Sequence, residues 1–216
     1  MRPGSDSALA RRIGDTVGCE VGRPLSSPRM RVIGQVVRLQ VQRASLKVPA
    51  GPGERYDPTP LVAVESVEVT PDGAVGLGPD GESIVDVHHR RHPGSKNSGK
   101  NPLSVGFTSH YAAIRERFGQ VPDGIAGENI LIETDLEFRE GGPPPVLLIG
   151  DARIGSIVVA EPCLPFTRFL IGAPPEAPAD ADSRAALAFL RHGTRGFYGS
   201  VVAEAIVRMG DSVRVI

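Results

Sequence analysis

The feature that most constrains this fold is a series of short apolar runs with a period of two, separated by glycine and proline. RVIGQVVRLQVQ (31–42) alternates apolar and polar side chains, as a strand with one face on a core does. LVAVESVEVT (61–70) repeats the pattern. SIVDVHH (83–89), LSVGF (103–107), ENILIE (128–133), PVLLIGD (145–151) and ARIGSIVVAEP (152–162) read as further strands. FYGSVVAEAIVRMGDSVRVI (197–216) reads as two strands joined by a tight Met-Gly-Asp turn. PAGPGERYDPTP (49–60) and PPEAPADAD (174–182) read as loops, and TPDGAVGLGPDGES (70–83) as a pair of turns. Only two segments carry helical spacing. TSHYAAIRERFG (108–119) sets Tyr111, Ile114 and Phe118 on one face, with Thr108 or Ser109 as cap and Gly119 at its end. SRAALAFLRHG (183–193) starts on Ser183 and stops before Gly193. Strands rarely alternate with helices, which disfavours a doubly wound parallel sheet. The expected fold is mainly β with some α/β mixing: a β-barrel with a few short peripheral helices.

Composition bounds the rest. The 216 residues, 40% of them hydrophobic, suffice for one sizeable core. Residues 1–29 show little periodicity and are expected to form a leader, with 30–216 as a single domain. With a net charge of −1, electrostatics gives no argument for nucleic acid or an anionic membrane surface as partner, and neither is expected. No apolar run approaches the ~18 residues of a membrane span. MRPGSDSALARRIGD has no hydrophobic signal region. Cys19 and Cys163, far apart in unlike contexts, do not suggest a disulfide framework, and a cytoplasmic location is expected.

Several segments could carry chemistry. In EPCLPF, Cys163 lies between Pro162 and Pro165 at the end of an apolar run, where a strand should stop and the chain turn. Arg168, five residues on, could raise the local potential and favour the thiolate. GSKNSGKN (94–101) has the spacing of a phosphate loop, but Asn101 replaces the required hydroxyl and Pro102 follows. It is better read as a basic loop that could contact an anion or rim a pocket. VHHRRHP (87–93) does not read as zinc-binding, because on a strand His88 and His89 point to opposite faces. Asp86 and His88 share a face and could pair, or could form a plain polar strand end. In GIAGENILIE, Glu128 and Asn129 stand before a strand, where they could meet a ligand or satisfy backbone groups. Arg195, in a glycine-flanked turn of HGTRGFYGSVV, could reach a phosphate, or be an exposed arginine at a hairpin.

Together these pieces resemble a known family. DGIAGENILIE is similar to the Gly-Glu-Asn signature of MOSC domains, named for the molybdenum cofactor sulfurase C-terminus. LLIGDARIGSIVVAEPCLPF resembles the segment carrying that family's motif cysteine, and HGTRGFYGSVVAEAIVRMGDSVRVI its closing glycine-rich pattern. GQVVRLQVQ suits the opening strand. VDVH (85–88) stands where the family has Gly-Asp-Arg-His, and Ala126 where an aromatic is common. The resemblance spans roughly residues 31–216. It implies a stand-alone MOSC-type barrel whose pocket holds Cys163 and binds molybdenum cofactor. Cys163 would ligate the metal, while Glu128, Asn129, Arg168, Arg195 and Tyr198 would shape the pocket or anchor the cofactor. Asp86 and His88 would handle protons. The implied reaction is reduction of N-hydroxylated small molecules with electrons from an external donor protein. The alternatives are sulfur delivery from a Cys163 persulfide, loaded by a sulfur donor, or cofactor binding without turnover.

Overall fold

A computed structural model describes residues 30–96, 101–139, 142 and 144–216. The expected leader, with Cys19, lies outside them. Seven strands close a barrel in the order β1 (Arg31–Gln42), β14 (Ser212–Val215), β10 (Leu147–Ile149), β11 (Ala152–Val159), β12 (Phe197–Ala203), β8 (Leu103–Phe107) and β9 (Ile130–Glu133), and β9 returns to β1. The long β1 closes the ring by pairing with β14 over its first residues and with β9 over its middle. Its last three residues pair with β4 (Leu61–Ala63). A second sheet, β13 (Ala205–Arg208), β5 (Ser66–Thr70), β6 (Gly73–Leu77) and β7 (Ser83–Val85), packs on the barrel. Closure leaves no exposed edge along the ring.

The mainly β expectation holds, with corrections of detail. The expected loop 49–60 contains a hairpin, β2 (Lys47–Ala50) with β3 (Gly53–Tyr56). Pro49 is tolerated there because β2 has a single neighbour, and Gly51 takes φ +57° at the turn. The run 61–70 is two strands, since the chain leaves β1 at Val64 and joins the second sheet at Ser66. The pair of turns at 70–83 flanks β6, and the strand expected over 83–89 ends at Val85. The closing 197–216 holds three strands, because the chain crosses to the second sheet and back.

Helix α1 (Thr108–Phe118) agrees with its expected span, and Gly119 ends it at φ +85°. Neither expected cap acts as one: Thr108 Oγ1 accepts the Thr134 N–H and Ser109 Oγ donates to the Leu136 carbonyl. α1 makes the crossover that parallel pairing of β8 with β9 requires. A helix not foreseen, α2 (Leu164–Ile171), begins directly after Cys163. Pro165 lies in its first turn, where the missing N–H costs nothing, so this proline starts a helix rather than ending a strand. α3 (Ala181–Leu190) starts two residues early because Asp180, not Ser183, is its cap, accepting the Ser183 N–H at 2.8 Å.

Both barrel faces are covered. Ile130 and Ile132 of β9 point inward with Val36, Leu39 and Phe107. Leu131 points outward, among Tyr111, Ile114, Phe166, Leu170 and Leu190 of the three helices. One contact sets the β1–β9 spacing: a Cβ on Gly34 would lie 1.8 Å from the Glu133 carbonyl oxygen. Gly34→Ala should therefore force the strands apart and cost about 1–3 kcal/mol or more. Denaturant unfolding checks this, and an unchanged midpoint would refute it.

Candidate functional site

The site is built on the loop 124–129 that leads into β9. Gly124 and Gly127 adopt φ +81° and +90°, which turns successive carbonyls in different directions. Side chains from several elements then accept the task of bonding them. Gln40 Nε2 donates to the Gly124 carbonyl at 2.7 Å, and Gln42 Nε2 to that of Gly127 at 2.8 Å. The Tyr56 hydroxyl reaches the Ile125 carbonyl at 2.5 Å, and Arg195 Nη2 the Ala126 carbonyl at 2.9 Å.

Beneath this loop the Tyr111 hydroxyl accepts the Ala126 N–H at 3.0 Å and donates to Glu128 Oε2 at 2.8 Å. Glu128 lies in a slot between Gly106 and Gly196, where a Cβ on Gly106 would be 2.8 Å from its Cγ. Burial pushes the Glu128 pKa up, against the opposing pull of the Arg195 charge and of the Tyr111 hydrogen bond. Asn129 is occupied on every side. Its Oδ1 accepts from the Ser104 N–H and hydroxyl, and its Nδ2 donates to the Gln40 carbonyl and to Asp86 Oδ2.

Asp86 is fully buried. Oδ2 also accepts the Gln42 N–H at 2.7 Å, while Oδ1 accepts the His88 N–H at 2.8 Å and lies 2.9 Å from His88 Nδ1. Burial alone would raise its pKa. The His88 and Gln42 bonds outweigh burial and hold the carboxyl below its ordinary range.

These elements enclose a cavity of about 450 Å³, lined by His88, Cys163, Arg195, Tyr198, Tyr56 and Ala126 among others. That size suits a small-molecule or cofactor site. Cys163 is half-buried at the start of α2, its carbonyl accepting the Thr167 N–H. The Arg195 guanidinium lies 5.6 Å from the Tyr198 ring centroid. Burial works against its charge, but Tyr198, Glu128, Tyr56 and Cys163 more than offset this and raise its pKa. Arg195 Nη1 is buried with no hydrogen-bond partner among the described residues. Gly94, Lys96 and Asn101 of the basic loop line the same cavity with Lys47.

Of the residues expected at the site, Cys163, His88, Arg195 and Tyr198 thus share one cavity, with Asp86 bonded behind His88. Glu128 and Asn129 do not line it but hold its wall. Arg168 faces elsewhere: Nη1 donates to the Pro175 carbonyl at 2.5 Å and Nη2 to that of Ala177, so its guanidinium secures the 174–177 segment rather than the thiol. Tyr56, Gln40, Gln42 and Ser104 were not singled out in the sequence, and Tyr111 was read only as part of the apolar face of its helix. Gln40 and Gln42 left one trace, as amides at positions of β1 that are buried with its apolar neighbours.

The model of the MOSC domain family matches residues 86–214, more than half of the chain. The chain belongs to the MOSC domain family. Among solved structures it is similar to the YuaD protein from Bacillus subtilis, at 13% identity and a TM-score of 0.55 over 87% of this chain and 97% of that one. A hypothetical protein follows at 14% identity and a TM-score of 0.50, over 86% and 69%. YiiM from Geobacillus stearothermophilus is 16% identical over 87% and 75%, with a TM-score of 0.47. At these identities the YuaD likeness concerns the MOSC fold alone. No curated protein matches the sequence. Among the described residues no helix is long and apolar enough to cross a membrane.

The raised Glu128 pKa has a measurable consequence. The folded state binds this proton more tightly than the unfolded chain, so stability is full below the ordinary value of 4.5 and is lost as pH rises through the folded pKa. Denaturant melts from about pH 5 to about pH 8 should show this loss, and Glu128→Gln should flatten it. An identical slope in the variant would show that Glu128 is not its source.

Proposed function

We propose that this MOSC protein binds molybdenum cofactor in the 450 Å³ cavity, with Cys163 on the metal, and reduces N-hydroxylated small molecules using electrons from an external donor protein. The observation that carries the reading is the opening of a thiol and an arginine onto one cavity. Cys163 offers the soft donor that a dithiolene-bound metal takes. Arg195 has a buried guanidinium nitrogen without a partner among the described residues, which suits the cofactor's phosphate. Tyr198 lies beside Arg195, and Lys47 and Lys96 add positive charge to the lining. Family membership supports the cofactor class.

Bound there, the cofactor would supply two-electron redox chemistry at molybdenum. The chain's own contribution is positional. Cys163 is the residue capping the start of α2, and Phe166 of that helix lines the cavity with it. Arg195, bonded to the Ala126 carbonyl by Nη2, keeps Nη1 for an anion.

Metal analysis of protein made in a molybdenum-replete host tests this. Near-stoichiometric molybdenum is expected in the wild type and none in Cys163→Ser; full metal and activity in the variant would sink the proposal. Cyanide-labile sulfur on Cys163 without tight metal would turn the reading to a sulfur carrier. Arg195→Met should lower stability modestly, as the Ala126 carbonyl loses its donor, and weaken retention of bound cofactor on dialysis by roughly ten- to a hundredfold, because a charge-assisted phosphate contact of about 1.5–3 kcal/mol is removed. Undiminished retention would exclude Arg195 as the anchor.

A further inference from the structure

Asp86 accepts four donors, and this settles where the proton of its neighbour sits. The Gln42 N–H, Asn129 Nδ2 and the His88 N–H all carry hydrogens that only an acceptor can receive. The fourth contact, 2.9 Å from Asp86 Oδ1 to His88 Nδ1, joins a carboxylate that has no proton to give to a ring that has. Neutral His88 is therefore the Nδ1–H tautomer, and Nε2 is the ring nitrogen that Asp86 does not engage. Asp86 is fully buried, whereas the His88 side chain is 38% exposed and lines the cavity that holds Cys163. A buried carboxylate just after β7 of the second sheet thus holds the imidazole that lines the cavity. Asn129 and Gln42 tie that carboxylate to the same loop and strand that carry the cavity wall.

We propose that His88 is the proton donor of the reduction, acting through Nε2, with Asp86 as its positioning residue. This rests on the cavity being a site of N–O reduction. The net reaction takes R–NH–OH, two electrons from the external donor protein and two protons to R–NH2 and water. The N–O bond breaks and nitrogen is reduced. The departing hydroxyl receives the Nε2 proton of the His88 imidazolium and leaves as water, solvent supplies the second proton to nitrogen, and His88 regains its own from water. Removing the ring takes away a general acid, which typically contributes two to four orders of magnitude.

The test uses the full chain loaded in a molybdenum-replete host. His88→Gln should keep wild-type molybdenum content while its kcat falls about a hundredfold with little change in KM. Nitrogen NMR of the histidine rings should show His88 in wild type as the Nδ1–H tautomer when neutral, and in Asp86→Asn as a tautomer mixture. A metal-replete His88→Gln enzyme with wild-type kcat would overturn the proton-donor role. An Nε2–H tautomer in the wild type would overturn the positioning role, and this needs no variant to fold. A wild type without molybdenum would instead overturn the cofactor reading and the donor role with it, while the ring tautomer would still decide what Asp86 does.

Discussion

The loop 124–129 must present four consecutive carbonyls, those of Gly124 to Gly127, without strand partners, and the site depends on how they are satisfied. An unpaired buried carbonyl costs about 1–3 kcal/mol, so every one of them demands a donor. The donors are Gln40 and Gln42 from β1, Tyr56 from the hairpin and Arg195 from the turn before β12. Three regions distant in sequence are thereby fixed against one short loop. The cavity is what remains between them.

The same arrangement explains why the site carries so many buried polar groups. Glu128 and Asn129 look like ligand-facing residues, yet they act behind the wall. Glu128 supports Tyr111, which in turn holds the Ala126 N–H, and Asn129 joins β1, β8 and the Asp86 carboxylate. Half-satisfied networks of this kind are costly and fully satisfied ones rigidify. Here the rigidity is passed to the side chains that do face the cavity: Arg195 through Ala126, and His88 through Asp86.

Helix α2 couples the thiol to the core. Phe166 packs tilted against Tyr56, with ring centroids 4.9 Å apart and planes at 55°, and Tyr56 bonds the loop carbonyl of Ile125. Cys163 is thus positioned by an apolar contact and a hydrogen bond converging on one tyrosine. Arg168 extends the same helix the other way, toward the 174–177 segment. Its charge serves chain connection, which sequence proximity to Cys163 could not reveal.

The alternation of β1, the apolar runs of β8, β9 and β11, and the helical spacing of α1 were all legible in the sequence, because periodicity reflects which faces an element buries. So was the family, through motifs in a fixed order, and with it the interest of Cys163, Arg195 and His88. Local pattern did not reveal α2, since a proline breaks a strand and begins a helix with equal ease. Nor could it show that Arg168 turns away, that Asn129 is walled in, or that Gln40 and Gln42 point at carbonyls some eighty residues on. Those outcomes depend on which donors lie near which acceptors once the barrel closes. Closure is a property of strand pairing across the whole chain, and only the tertiary structure decides it.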